Sequence, residues 1–320
     1  MNRVAAIDCG TNSIRLLVAE VTERHDGVPV LRDLHREMRV VRLGQGVDAT
    51  GRLAPEALER TRVALADYAA VLVRKGVRDV RMVATSATRD ADNRDEFFAM
   101  TKAVLGAEAE VISGDEEARL SFTGAVGDLD PDDGPFLVAD VGGGSTELVR
   151  GTWDGTHAHV EAAKSVDIGC VRLTERALSQ DPPSKRQQQD AGDIAERVLA
   201  EAYAAVPLAG ARTLVGVAGT VTTMAAVALG LPEYDPERIH HARLDSRQLW
   251  RVTADLLSLK RAERAALGAM HPGRVDVIGG GAIIVRALAR TVFEESEITD
   301  LLVSEHDILD GIALSIAGPR

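Results

Sequence analysis

The sequence predicts an α/β protein of two domains, and three observations carry that prediction. The chain has 320 residues, beyond the size at which a single hydrophobic core keeps growing. Short apolar runs of strand character alternate along it with longer amphipathic runs of helical spacing. One device is also written twice, at residues 4–21 and 136–153: an apolar strand, an aspartate, a tight turn of Gly, Ser and Thr, then a second apolar strand. Laid over each other with Asp8 on Asp140, the copies match again at Gly10 and Gly142, Ser13 and Ser145, and Leu16 and Leu148.

The elements of the first half follow from local signals. After the first hairpin, residues 38–43 (MRVVRL) read as a short strand with Gly44 and Gly46 behind it. A helix is expected over 55–75, with Pro55 at its start, Ala, Leu and Val at helical spacing, and Gly76 as its stop. A strand over 77–84, a helix over 93–105 and a strand over 109–112 come next. The helix 116–124 is capped by Ser113 or Asp115. The acidic Pro/Gly loop 127–134 (GDLDPDDG) is the best boundary between domains.

The second half repeats the style. Behind its hairpin lie a strand over 160–166, a helix over 170–178, a Gln-rich break over 179–189 and a long helix over 190–204. A strand over 213–217 turns through Ala218, Gly219 and Thr220 into an Ala-rich helix ending near Gly230. Helices are expected over 256–269 and 275–293, although Gly279 to Gly281 weaken the second. A strand over 298–303, Ser304 as a cap with Asp307 three residues on, and a helix over 308–317 ended by Gly318 complete the chain.

Composition excludes several classes. The apolar fraction of 45% is ordinary for a water-soluble globular chain, and no run approaches the ~18 apolar residues of a membrane helix. The first eight residues run straight into a strand and do not read as a signal peptide. The two cysteines, Cys9 and Cys170, have neither a C-x-x-C spacing nor a disulfide-dense pattern, which fits a reducing cytoplasm. A net charge of −12 and only 3% aromatic residues argue against a nucleic-acid partner, since bulk repulsion opposes the polyanion and stacking platforms are scarce.

The candidate chemistry gathers at five places. Gly142, Gly143 and Gly144, followed by Ser145 and Thr146, remove every Cβ for three residues, as suits close approach of backbone to a ligand. Asp140 before this turn and Glu147 behind it are placed to share one hard cation. In the first copy Thr11, Asn12 and Ser13 offer hydroxyl, amide and backbone donors. Arg15 either reaches an anionic ligand or pairs with a carboxylate on a neighbouring strand. Asp115, Glu116 and Glu117 crowd the first turn of a helix, where the dipole favours acids and a neighbour's charge could tune one as a general base. Arg89 follows a strand and could clamp a phosphate, and Gly219 with Thr220 opens a helix whose N-terminus suits an anion. His240 and His241, adjacent and on opposite faces of an extended chain, make a poor metal pair.

Together, AIDCGTNSIRLL, ATSATRDADN, VISGDEEARLSF, DVGGGSTELV, GVAGTVTT and LLVSEHDILDGIAL, in that order, resemble the exopolyphosphatase and guanosine pentaphosphate phosphatase (Ppx/GppA) family of the actin, sugar kinase and heat-shock chaperone superfamily. The resemblance spans essentially the whole chain, and its short form is similar to the actinobacterial branch. It implies two actin-like (ribonuclease H-like) domains, each a mixed sheet flanked by helices, with the active site in the cleft between them. The N-terminal domain would comprise 1–128 plus the returning helix 305–320, and the C-terminal domain 129–304.

The same resemblance assigns roles. Glu117 would activate water, with Glu116 the second choice. Asp140 and Glu147 would hold Mg2+, with Mn2+ as alternative and Asp8 nearby. Gly142 to Thr146 and Thr11 to Ser13 would cradle phosphates, and Arg89 and Arg15 would neutralise terminal phosphate oxygens. The implied activity is release of terminal orthophosphate from inorganic polyphosphate or of the 5′ terminal phosphate of pppGpp. Long members carry further helical domains for gripping long chains, so short polyphosphate or a nucleotide is the expected substrate. A homodimer is expected from the same source. The competing readings are a non-catalytic polyphosphate or (p)ppGpp sensor and a superfamily ATPase or kinase.

Overall fold

The computed structural model describes residues 2–23 and 29–317, which form two compact units: 1–124 with 308–320, and 125–307. The expected stop at Gly318 lies outside the described residues.

The first unit opens with a meander of β1 (Asn2–Cys9), β2 (Ser13–Glu23) and β3 (Pro29–Val40). Then come α1 (Val47–Thr50), α2 (Pro55–Lys75), β4 (Asp79–Ala84), α3 (Ser86–Arg89), α4 (Arg94–Leu105), β5 (Glu110–Val111) and α5 (Gly114–Val126). The sheet order is β3-β2-β1-β4-β5, with β4 and β5 parallel to β1 and the meander antiparallel. β3 is far longer than its apolar tail at 38–43 suggested. Its other residues (PVLRDLHRE) are charged and partly exposed, so no alternation marked them. The end of α2 is as expected: Gly76 takes φ 66 and its N–H closes on the last turn.

The second unit repeats this topology. β6 (Phe136–Val141), β7 (Thr146–Trp153) and β8 (Ala158–Val166) form the meander, followed by α6 (Cys170–Ala177), α7 (Lys185–Ala205), β9 (Thr213–Val217) and α8 (Ala218–Ala228). α9 (Pro236–Ile239), β10 (Arg243–Asp245), α10 (Ser246–Ser258), α11 (Arg261–Ala265), α12 (Ile278–Glu295) and β11 (Asp300–Val303) complete it. Its order, β10-β11-β9-β6-β7-β8, is the first sheet's pattern with β10 added at one edge. The duplication visible in two turns thus extends to five strands. α13 (Ile308–Ala317) then returns to the first unit, where Ile308, Leu309, Ile312 and Ala313 pack with Val4, Ala6, Leu17, Val83 and Ile112.

Three expectations are corrected. The Gln-rich stretch is no break from 185 on, because Ser184 and Gln187 form a reciprocal capping box that starts α7 at Lys185. The helix expected over 256–269 begins instead at Ser246, where Asp245 and Gln248 make the same device, and α10 ends at Ser258. Ser304 does not cap α13. Its hydroxyl accepts from the His306 N–H in a tight turn, and the helix starts four residues later.

The glycines inside α12 are demanded by packing. A Cβ at Gly280 would lie 2.5 Å from Thr174 Oγ1, and one at Gly281 would lie 2.4 Å from Thr220 Cγ2. α12 therefore passes α6 and the start of α8 at backbone distance. No helix among the described residues is long and apolar enough to cross a membrane. α13 makes an equally close approach: a Cβ on Gly311 would sit 1.9 Å from the Leu120 carbonyl oxygen of α5. Gly311→Ala is expected to lower stability by about 1–3 kcal/mol, read by denaturant melts, because backbone rather than a flexible side chain stands in the way.

Candidate active site

Strand register brings the candidate segments of each unit to one end of its sheet. In the first unit Asp8 pairs with Val83 of β4, and Val83 and Ala84 pair with Glu110 and Val111 of β5. The turn after β1, the turn α3 after β4 and the start of α5 after β5 therefore emerge together. In the second unit Asp140 pairs with Val217, so the triple-glycine turn and the Ala218-Gly219-Thr220 turn share an end as well. These are the carboxyl ends of parallel strands, where α/β sheets present ligand sites.

The two hairpin turns are built alike. Gly10 N–H donates to Ser13 O at 3.0 Å, and Gly142 N–H donates to Ser145 O at 3.1 Å. Each turn also has its carbonyls occupied by the segment after its meander. Thr11 O and Asn12 O accept from Gly44, Val41 and Arg42, while Gly142 O and Gly143 O accept from Cys170, Val171 and Arg172 at the start of α6. Gly169 presses onto the second turn so closely that a Cβ would lie 2.4 Å from the Gly143 carbonyl. With the carbonyls turned inward, the Gly143 and Gly144 N–H groups have no backbone acceptor among the described residues. Bare N–H groups in a turn of this kind form an anion nest.

The copies differ at their aspartates. Asp8 lies opposite Arg15, whose Nε and Nη2 donate to Asp8 Oδ2 at 3.0 and 2.7 Å. Of the two partners left open for Arg15, the structure shows the carboxylate. Asp140 lies opposite Glu147, on the same face of the sheet, and the two are only 6% and 1% exposed. Buried like charges in direct cross-strand register are unfavourable unless a cation answers them. The Ser165 hydroxyl donates to Glu147 Oε1 at 2.7 Å, which holds that carboxylate in place. Two buried, oriented carboxylates with oxygen-only donors are a donor set that fits a hard divalent ion.

Around the first turn lies a group of buried hydroxyls that the sequence did not single out. Thr11 Oγ1 and Ser86 Oγ share a hydrogen bond of 2.9 Å, and Thr88 Oγ1 is buried with no partner among the described residues. Arg89, expected on a loop, ends the single helical turn α3. Its Nη1 donates to Ile112 O at 3.0 Å and Glu117 Oε2 at 3.2 Å. Geometry separates the neighbouring acids of α5: Glu116 is half-buried and taken by Arg81 at 2.6 Å, whereas Glu117 is buried beside Arg89.

At the other turn, two expected phosphate hydroxyls are engaged elsewhere. Thr146 Oγ1 donates to Ile168 O at 2.6 Å, and the Thr220 hydroxyl bonds the buried Cys170 thiol. What this turn does offer is Arg274, absent from the sequence reading. Its guanidinium lies where a Cβ on Gly219 would be, 2.1 Å from Nη2, and its Nη1 donates to Thr223 Oγ1 at 2.8 Å. A larger residue at 219 would push the guanidinium aside. Ala218 stands at φ 67, a left-handed conformation that costs a non-glycine residue about 1–3 kcal/mol and is concentrated at functional turns. The signal for Arg274 was one basic residue in a loop, with no local pattern to raise it above any other.

A doubled sheet topology, with matched turns that point bare N–H groups and carboxylates from the carboxyl ends of parallel strands, defines the actin-like class of phosphate-handling fold. The chain belongs to the Ppx/GppA phosphatase family, whose model matches residues 17–316. It is 56% identical over 327 aligned positions to Exopolyphosphatase 2 of Mycobacterium tuberculosis, covering 99% of each chain. A crystal structure described as an exopolyphosphatase-like protein superposes with a TM-score of 0.92 at 45% identity, over 98% of each chain. The Ppx/GppA family member of Aquifex aeolicus does so with a TM-score of 0.78 at 32% identity, over 98% of this chain and 97% of that one.

Two expectations follow from the burial of these groups. Burial, and for Cys9 the adjacent Asp8 charge, push both thiols up, with Thr220 and Arg274 offsetting part of this at Cys170. Neither should react with a disulfide reagent in the native protein, and both should once it is unfolded. Ser165→Ala removes the hydroxyl that donates to buried Glu147 and should lower the unfolding free energy by about 1 kcal/mol in denaturant titration.

Proposed function

We propose that this phosphatase is a Mg2+-dependent phosphohydrolase that releases orthophosphate from the end of inorganic polyphosphate, or the 5′ terminal phosphate of pppGpp. The observation that carries this reading is the buried Asp140 and Glu147 pair, set across a hairpin whose turn presents bare glycine N–H groups. Two buried carboxylates beside a turn of bare N–H groups supply the oxygen ligands and anion donors that suit a divalent cation and a phosphate chain.

The roles follow from geometry and charge. Gly143 and Gly144 N–H groups donate to phosphate oxygens, and the turn of Thr11, Asn12 and Ser13 supplies the corresponding donors in the first unit. Arg89 uses Nη1 for Ile112 and Glu117. A guanidinium has five donors, so Nε and Nη2 serve the terminal phosphate. Arg274 adds positive charge over Gly219. Asp8, already bonded by Arg15, orients the first hairpin; Asp140 and Glu147 are the residues that would hold Mg2+. Bound there, the ion would neutralise phosphate oxygens where charge develops.

Glu117 is the base. Its carboxylate takes the proton of a water whose oxygen attacks the terminal phosphorus in line, and the bridging P–O bond breaks with its electrons leaving on the shortened chain. The protein's part is positioning and electrostatics, as phosphoryl transfer requires. The name of the M. tuberculosis relative supports polyphosphate as the first substrate to examine.

Purified protein with Mg2+ is expected to release orthophosphate from short polyphosphate, and the parallel rates on long polyphosphate and pppGpp rank the three. Glu117→Gln should lower kcat by about 10²–10⁴ with KM little changed, since it removes the base and keeps its shape. Unchanged turnover would assign the base elsewhere. No release from any substrate, together with tight calorimetric binding, would favour a sensor.

A further inference from the structure

His240 and His241 do not point to opposite faces. That expectation assumed an extended chain, but His241 stands at φ 62, and this left-handed residue folds the two rings onto one side. They stack with centroids 3.8 Å apart at 29°, and His306 meets His240 edge-on at 4.9 Å. All three rings turn Nε2 toward one oxygen. Asp128 Oδ2 lies 2.8 Å from His240, 3.5 Å from His241 and 3.7 Å from His306. Ligand atoms from Asp128, His240 and His306 all lie within 4.8 Å of one another.

We propose that Asp128, His240 and His306 form a binding site for a divalent transition cation of the Zn2+ type, separate from the Asp140 and Glu147 pair. Donors around a tetrahedral ion with bonds of ~2.0–2.1 Å stand about 3.3 Å apart, and the 2.8 and 3.7 Å from Asp128 Oδ2 to His240 and His306 bracket that value. Two imidazoles and one carboxylate, with solvent in the fourth position, suit Zn2+ or Co2+ rather than the oxygen-seeking Mg2+. The rings are partly exposed, so an ion can enter from solvent.

The surroundings favour a neutral His241 and an ionised Asp128. Burial, and then the neighbouring His240, hold His241 below the usual histidine range. Burial alone would raise Asp128, but the His240 hydrogen bond and the charges of the other rings keep it below the usual carboxylate range. The Glu305 N–H donates to His240 Nδ1 at 3.2 Å, which fixes the ring with Nε2 facing Asp128. The residues come from three separate connections: the turn after α5, the α9 to β10 link and the turn after β11. Asp128 and His306 stand close to the two places where the chain passes between its units, at 124–125 and 307–308.

The test is a Co2+ titration of the full chain, stripped with chelator and then held in excess Mg2+ so that the carboxylate pair is occupied. The expected result is one Co2+ per chain by equilibrium dialysis, with the intense visible absorption of tetrahedral cobalt, displaced by Zn2+. His306→Ala and Asp128→Asn should each weaken this binding by at least about tenfold and leave phosphate release with Mg2+ unchanged. Should one variant fail to fold, the other provides the same comparison. Absence of a tetrahedral spectrum in the wild-type protein, or equal binding by the variants, would overturn the proposal.

Discussion

The second unit is organised around one pair of buried carboxylates. Antiparallel register places Asp140 directly opposite Glu147, and helices and strands around them exclude the water that would otherwise separate their charges. An all-protein solution exists in the same chain, since the first unit places Arg15 opposite Asp8 at the equivalent position and closes the charge balance internally. The second unit sets a second carboxylate there instead, with the Ser165 hydroxyl donating to it. A duplicated hairpin has thus diverged at a single cross-strand partner, arginine opposite the aspartate in one copy and glutamate in the other.

The rest of the site keeps this pair where it is. The start of α6 takes the carbonyls of Gly142 and Gly143, and Gly169 allows the approach. α12 in turn lies against α6 and α8 at distances that only Gly280 and Gly281 permit. The nest is therefore set by backbone contacts between rigid elements, with few rotatable side chains in the path. Such preorganisation is what electrostatic stabilisation of a transferring phosphoryl group requires.

Much of this was legible in the chain. The match of Asp8 with Asp140, Gly10 with Gly142 and Ser13 with Ser145 gave the equivalent turns, and the α2 boundaries could be read from Pro55 and Gly76. Glu117 was chosen by resemblance, and the structure supplies the physical distinction from Glu116 that spacing could not. The misses share a cause. β3 was hidden because a charged, half-exposed strand shows no alternation, and α7 and α10 because their capping boxes were outweighed by Gln-rich or mixed sequence. Arg274 and the Asp128, His240 and His306 cluster unite residues far apart in the chain. Local periodicity holds no record of such meetings, and a single left-handed residue, His241, was enough to reverse a sound rule about adjacent side chains.

The return of α13 to the first unit has a consequence for how the protein is made. Val4, Ala6, Leu17 and Ala19 are synthesised before the second unit, and the helix that covers their face of the sheet, with Ile308, Leu309 and Ile312, after it. During translation the second unit has its own strands and core in hand while the first still exposes an apolar sheet face. Domains usually mature from the N-terminus onward as the ribosome proceeds. Here the order is inverted: the unit begun first is finished last, and its incomplete face is the one a chaperone would meet on the nascent chain.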